Sequence, residues 1–260
     1  MQGTPTHSRA APRRASLSVA MATYNGERYL ATQLHSILSQ LGADDEIIVV
    51  DDASTDRTLD AIASIGDGRV RVLRNERNVG VFATFERALG ATRGDLIFLS
   101  DQDDVWLPGK VRDVVDRFER DPAVLLVLSD AEVIDEQGRV TQPSFMALRG
   151  GFRPGFAATL VRNRYLGCTM ALRRALLDSV LPIPRDVPMH DMWFGSLAVL
   201  QGRVDYIDRP LVQYRRHGGN VSPSRRQSVG QMLRWRWNLL RNVTRRRRAV
   251  RARPAVGPAA

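Results

Sequence analysis

The sequence predicts an α/β fold, a mostly parallel sheet flanked by helices on both faces. Apolar runs of strand length alternate with helical patterns through the first half of the 260 residues. The runs are apolar at nearly every position, and helix-start signals fall just after them. Continuous apolar runs suit strands covered on both sides, and regular alternation suits right-handed crossovers between parallel strands. A hydrophobic content of 43% is enough for one large domain or two modest ones.

The elements follow in order. A strand at Leu17 to Met21 precedes a helix at Tyr29 to Gln40, and Glu46 to Val50 precedes Leu59 to Ile65. Val70 to Leu73 precedes Phe82 to Ala91, and Asp95 to Leu99, bounded by Gly94, precedes Lys110 to Arg120. Ser54-Thr55-Asp56 marks the start of the second helix and Pro108 the first turn of the fourth. A fifth apolar run, Val124 to Leu128, ends at Ser129-Asp130. Beyond residue 140 a loop-rich connection with Pro143, Gly150 and Pro154 leads to helical patterns at Leu172 to Val180 and Met192 to Leu200. Short strands are expected at Val204 to Ile207 and Leu211 to Tyr214.

The formal net charge of +10 belongs to the ends. From Ser224 onward there are eleven arginines and no Lys, Asp or Glu, and Arg9, Arg13 and Arg14 lie in the first sixteen residues. The remaining 24 basic residues face 28 acidic ones, so the body is mildly acidic. That argues against a nucleic-acid module, which would carry its basic residues on the folded body. Residues 1–16 lack the apolar stretch of a secretory signal and read as a disordered leader. No segment reaches the roughly 20 apolar residues of a membrane span. The single Cys168 allows no intramolecular disulfide, in keeping with a cytoplasmic protein, and reads as a small buried residue.

Chemistry gathers where the strands end. Ser100-Asp101-Gln102-Asp103-Asp104 places three carboxylates within four residues, which repel one another unless a cation sits among them. Hard oxygen ligands suit Mg²⁺ or Mn²⁺, and the C-terminal edge of a parallel sheet is where ligands bind. The alternative is a polar loop whose Asp104 caps the next helix. At the first strand tip Tyr24 can stack on a nucleobase, and at the second Asp52 can accept the imide hydrogen of a uracil or thymine ring. Alternatively, Asn25-Gly26 is only a turn, and Ser54 or Asp56 only a helix cap. Asn78 and Gly80 precede a helix where backbone N–H groups can approach a phosphate.

Taken together, Ala22-Thr23-Tyr24-Asn25-Gly26, the Val50 to Asp56 segment, Asn78 to Gly80, and Ser100 to Trp106 resemble, in order and spacing, the motifs of the family 2 inverting glycosyltransferases with the GT-A fold. The resemblance covers roughly residues 17 to 222. With His190-Asp191 and Tyr214 to Ser222 it is most similar to the rhamnosyltransferase-like branch. It implies a nucleotide-sugar-binding half (17–130), an acceptor-side half (131–222) and an arginine-rich tail (223–260). Thr23, Tyr24, Asp52, Asn78, Gly80, Asp101 and Arg216 are then expected at a dTDP- or UDP-sugar donor, and Asp103 and His217 at the metal. Ala22 departs from the hydroxyl residue that some relatives carry there, so that side-chain contact is lost.

An inverting transfer needs a base opposite the leaving diphosphate, because the attacking hydroxyl must lose its proton as the bond forms. The resemblance assigns that role to Asp191, whose alternative is a helix N-cap. It leaves His190 to orient the acceptor or the base, or to serve structure alone. Arg215, Arg216 and His217, before Gly218-Gly219, are expected to help the leaving diphosphate on a closing loop, with a solvated turn as the alternative.

The resemblance leads to the expectation of a glycan or lipid-linked hydroxyl as acceptor. Tryptophans and arginines between Ser228 and Val250 suggest a helix that meets an anionic membrane surface at the inner face of the cell membrane, packs on the body, or binds nucleic acid. Apolar positions 232, 233, 239, 240 and 243 make no single stripe. The rival readings are a nucleotide-sugar-binding protein without turnover, which has no need of Asp191, and a nucleotidyltransferase, for which no glycine-rich basic loop follows the first strand.

Overall fold

In the computed structural model, which describes residues 14–218 and 228–251, β1 (Leu17–Thr23), α1 (Leu30–Leu38), β2 (Glu46–Asp51), α2 (Thr58–Ala63), β3 (Val70–Arg74), α3 (Val81–Ala91) and β4 (Leu96–Ser100) alternate as expected. There follow β5 (Val105–Trp106), α4 (Lys110–Arg120), β6 (Val124–Ile134), β7 (Val140–Gln142), α5 (Phe145–Leu148) and α6 (Phe156–Val161). The chain then continues through β8 (Met170–Arg173), α7 (Leu177–Val180), α8 (His190–Gln201), β9 (Arg203–Arg215) and α9 (Val229–Arg251). The strands form one sheet in the order β3-β2-β1-β4-β8-β6-β9-β5, with β7 on β6. β3, β2, β1 and β4 are mutually parallel, and β6 and β9 share their direction through antiparallel β8. The sheet is therefore mostly parallel.

Apolar side chains on both faces of the central strands explain this layering. Leu17, Val19 and Met21 join Leu34, Val114 and Phe118 on one side. Ala20, Ile48 and Ile97 join Phe85, Trp193 and Leu197 on the other. Because the β1, β2 and β4 strands run the same way, their C-terminal tips meet at one edge.

The second half departs from expectation. The run Leu172 to Val180 is not one helix. Met170 to Arg173 forms a strand wedged between β4 and β6, and only Leu177–Val180 is α-helical. An apolar stretch of this length fits a buried strand as well as a helix, and two flanking partner strands decide it. The fifth run does not end at Ser129-Asp130 but extends to Ile134, and the two short strands expected after residue 203 are one, β9. Pro210 sits inside β9 at a register irregularity opposite Asp130, where a missing N–H is tolerated. β5 pairs with β9 through Trp106 and Val212, which fixes the end of the acidic loop.

Of the leader, residues 1–13 lie outside the described residues, as do Gly219 to Ser222. Arg14 pairs with Asp45 at 3.0 Å, and the Ser16 hydroxyl donates to Asp95 at 2.9 Å. No described helix is long and apolar enough to cross a membrane.

Candidate active site

The tips of β1 and β2 are laced together by backbone donors reaching side-chain oxygens. The Asn25 N–H donates to Ser54 Oγ at 2.9 Å, the Gly26 N–H to Thr58 Oγ1 at 2.8 Å and the Glu27 N–H to Asp56 Oδ2 at 3.1 Å. Neither Ser54 nor Asp56 is the N-cap of α2, whose cap position is Arg57 without a side-chain cap; they tie the two strand tips together instead. Asn25 and Ala53 adopt positive φ, at 50° and 62°, a conformation unfavourable for Ala that the lacing holds in place.

A residue passed over in the sequence completes this edge. Gln102 Oε1 accepts from the Thr23 hydroxyl at 2.6 Å and the Tyr24 N–H at 2.7 Å, while its Nε2 donates to the Tyr24 carbonyl at 3.0 Å. A Cβ on Gly26 would stand 2.7 Å from that same oxygen, so the close approach requires glycine. Tyr24 is left 44% exposed at the mouth of the site.

Asp52 is more committed than expected. Its Oδ1 accepts from Asn75 Nδ2 at 2.7 Å and the Val79 N–H at 2.9 Å, and its Oδ2 accepts from the Gly80 N–H at 2.9 Å. One lone pair of Oδ2 remains for an imide hydrogen. The Gly80 N–H, expected to face a phosphate, is taken by Asp52. α3 itself begins without a side-chain cap, and Val81 and Phe82 of its first turn border the same cavity.

The acidic loop has an inner and an outer part. Asp104 is buried, and its Oδ1 accepts from the Arg215 N–H at 2.9 Å. It caps no helix, since α4 has Gly109 at its N-cap position and no side-chain cap. Lys110, fully buried, donates from Nζ to the Cys168 carbonyl at 2.6 Å and lies 4.2 Å from the Trp106 ring centre. Burial drops its pKa to about 7, against the pull of Asp104 and Asp101. Burial also pushes Asp101 up to about 7, with Asp103 and Asp191 adding repulsion.

Arg215 is buried as a strut and does not line the cavity. Its Nε donates to the Asp103 carbonyl at 2.8 Å and its Nη1 to the Asp135 carbonyl at 3.0 Å. The outer part faces the cavity, where His217 Nε2 lies 2.6 Å from Asp103 Oδ2.

Across the cavity, Asp191 sits in the first turn of α8, whose N-cap position is Met189. Its Oδ1 accepts from the Met192 N–H at 2.5 Å and Asn163 Nδ2 at 3.2 Å. Its Oδ2 has no hydrogen bond among the described residues. Burial raises its pKa to about 7, while those two donors and nearby Arg149 hold it lower than burial alone would. His190 packs against Phe85 with ring centres 4.6 Å apart, and neither ring nitrogen has a partner among the described residues. Burial lowers its pKa to about 4, so the ring is neutral.

One cavity of about 510 Å³ joins these walls. The β1 and β2 tips contribute Thr23, Tyr24 and Asp52, the loop before α3 Asn78 and Gly80, and the acidic loop Asp101 and Asp103. His190 and Asp191 form the far wall and His217 one side. Arg216 does not line it; the exposed guanidinium lies 5.9 Å from the Tyr214 ring centre. Arg185, unexpected from sequence, does line it and pairs with Glu86 at 3.1 Å.

The donor set fits a hard divalent cation at the outer part. Ligand atoms of Asp101, Asp104 and Cys168 come within 4.8 Å of one another. Burial keeps the Cys168 thiol protonated by raising its pKa well above the ordinary value, and Lys110 already brings an amine to that inner trio. Asp103 and His217 border the cavity with Oδ2 and Nε2 2.6 Å apart, atoms of the kind such an ion takes.

A family model described as glycosyl transferase family 2 matches residues 18–181. An uncharacterized glycosyltransferase of Nostoc sp. is 27% identical over 78% of this chain and 66% of that protein. The UDP-Glc:alpha-D-GlcNAc-diphosphoundecaprenol beta-1,3-glucosyltransferase of Escherichia coli is 26% identical over 62% of each. The crystal structure of S. aureus TarS 1–349 in complex with UDP-GlcNAc superposes with a TM-score of 0.67, at 22% identity, over 89% of this chain and 66% of that one. The chain spans between 35% and 66% of the length of the curated relatives it matches.

Proposed function

The chain belongs to glycosyl transferase family 2, and on that premise we propose that it moves a sugar from a nucleoside-diphosphate donor, with inversion, to the hydroxyl of a glycan or lipid-linked acceptor. One observation carries the reading. Tyr24, Asp52 and Asp103 border the same cavity as Asp191, a carboxyl whose Oδ2 has no hydrogen bond among the described residues and whose pKa burial raises to about 7.

In this reading the exposed ring of Tyr24 stacks on the base and the remaining lone pair of Asp52 takes its imide hydrogen, a pairing that selects uracil or thymine. Asp103 and His217 hold Mg²⁺ or Mn²⁺. When bound, that ion neutralises charge on the departing diphosphate. Asp191 Oδ2 takes the proton of the attacking hydroxyl, and a pKa near the working pH lets it both lose and regain that proton. Neutral His190 beside it borders the same cavity, its two buried ring nitrogens without a partner among the described residues, and orients an acceptor hydroxyl. Lys110 and Arg215 keep the acidic loop in shape beneath the metal.

The likeness of Asp101 to Asp104, His190-Asp191 and Tyr214 to Ser222 to the rhamnosyltransferase-like branch makes dTDP-rhamnose the first donor to test. The donor and lipid diphosphate in the Escherichia coli relative's name make UDP-sugars and polyprenyl-diphosphate glycans the next. The place of work is the cytoplasm, at the inner face of the cell membrane. Thermal stabilisation by a panel of nucleotide sugars with Mn²⁺, followed by transfer assays, tests the reading. A donor that stabilises wild type and Asp191→Asn alike but is consumed only by wild type supports it. A panel without any stabilising member would remove it, and equal consumption by both proteins would remove the base.

A further inference from the structure

α9 carries two different faces. One is settled on the body: Leu239 and Val243 are buried in the core that also holds Trp193 and Phe194 of α8. Arg236 donates to the carbonyls of Leu160 and Val161 at 2.6 and 2.9 Å, and Arg246 to those of Ser179 and Leu181 at 2.7 and 2.6 Å. The helix is therefore seated in a fixed rotation, and that fixes what the opposite face presents.

The opposite face is apolar where solvent would favour polar residues. Val229, Leu233, Trp237 and Leu240 are 68%, 60%, 63% and 38% exposed. Their spacing of four, four and three places them on one stripe. Arg234, Arg241, Arg245 and Arg248 are exposed too, and their positions in the helical repeat run along one flank of that stripe. No Asp or Glu occurs anywhere in the helix. The two faces interleave in sequence, which is why positions 232, 233, 239, 240 and 243 show no stripe when read as one set.

We propose that the outward face of α9 docks on a bilayer bearing anionic headgroups, with the Val229-Leu233-Trp237-Leu240 stripe at the headgroup boundary and the flanking arginines on lipid phosphates. Each part has a reason in the chemistry. An indole and three aliphatic side chains on one face match an interfacial helix, tryptophan favours that depth, and arginines next to anionic lipid add attraction. A nucleic acid would use the arginines and leave the apolar stripe in water. A second copy docked face to face would bring two arginine rows together. α9 packs on α8, whose first turn holds Asp191, so the docked face lies one helix away from the cavity. Its use in presenting a lipid-linked acceptor rests on the proposed function, whereas the docking itself does not.

Vesicle flotation of the full chain tests this without any donor present. The probes are phosphatidylcholine vesicles with and without phosphatidylglycerol. Wild type is expected to float with the anionic vesicles. Leu233→Ser/Trp237→Ser should lose binding about tenfold or more, and Arg245→Gln or Arg248→Gln about fivefold each. All four positions are exposed, so melting temperatures should match wild type. Trp237→Phe, a conservative change, should keep binding and remove the vesicle-induced blue shift of the indole emission.

Wild type left unbound by anionic vesicles, or both serine changes without effect, overturns the proposal. So does a stable dimer that Trp237→Ser dissociates, or tighter binding to random RNA than to vesicles. Transfer to a soluble acceptor by a chain that ignores vesicles refutes the docking alone. Vesicle binding without transfer refutes the enzymatic reading alone.

Discussion

Nε2 of His217, just beyond the end of β9, lies 2.6 Å from Oδ2 of Asp103 on the acidic loop. The contact joins two segments more than a hundred residues apart and leaves both side chains at the cavity wall. If both hold the metal, His217→Ala should raise the Mn²⁺ concentration for half-maximal binding roughly 10–100-fold, and Asp103→Asn should raise it further. Calorimetric titration of Mn²⁺ in the presence of UDP measures this. Unchanged metal affinity in both variants would move the ion elsewhere.

The pKa of Asp191, raised to about 7 by burial, sets a pH profile. A base works only when ionised, so kcat/KM should climb as a single-proton limb and level off above about 7. Asp191→Asn should cut kcat by roughly 10²–10⁴-fold with little change in donor affinity. A variant that keeps the wild-type limb would exclude Asp191 as its source.

The same shift has a consequence for stability. A carboxyl with a folded pKa near 7 against an ordinary 3.8 holds its proton more tightly in the folded chain. Its contribution is therefore complete below the lower value and declines as pH rises toward the higher one. Asp191→Asn removes that penalty, worth up to about 4 kcal/mol for a group this buried. Thermal melts should show the variant gaining on wild type as pH rises from the ordinary 3.8 toward about 7, with a constant advantage above that. A constant difference at every pH would argue against the buried, protonated state.

Lys110 is predicted to be a structural hydrogen-bond donor. Lys110→Met leaves Asp101 and Asp104 without the amine beneath them and the Cys168 carbonyl without its donor. A loss of roughly 1–3 kcal/mol is expected, as for a buried carbonyl left without its donor. The loss should shrink as pH falls from about 10.5 toward about 7, where burial opposes protonation of the wild-type amine. Denaturant titration at two pH values decides, and a pH-independent loss would mean that only packing was removed.

Gln102→Ala deletes the three hydrogen bonds that hold Thr23 and Tyr24. Donor Kd should rise roughly tenfold, while kcat at saturating donor stays within a few-fold because no reacting atom is touched. Titration with the nucleoside diphosphate measures it, and an unchanged Kd would mean the β1 tip holds its shape unaided.

The parts of this site that were legible in sequence are those that chain direction dictates. Parallel β1, β2 and β4 carry Tyr24, Asp52 and Asp101 to a common edge, so apolar runs followed by polar tips gave the site without knowledge of the packing. The remainder depends on partners far away in the chain. Lys110 reads as a solvated helix start until Cys168 and Trp106 close over it. Gln102 reads as a spacer between acids until Tyr24 arrives. Asp52 reads as a free carboxylate until Asn75 and Gly80 fold onto it. β8 looked helical because its apolar stretch is short and its two partner strands lie at least forty residues away.

The arrangement of Tyr24, Asp103 and Asp191 about one sugar is tested most directly by a crystal structure of the chain with Mn²⁺ and a bound nucleoside-diphosphate sugar, using anomalous scattering from manganese. The account predicts a manganese peak on the Asp103 carboxylate, the base against the Tyr24 ring, and Asp191 on the face of the sugar opposite the diphosphate. A manganese peak away from Asp103, or a sugar whose anomeric carbon turns away from Asp191, would contradict it.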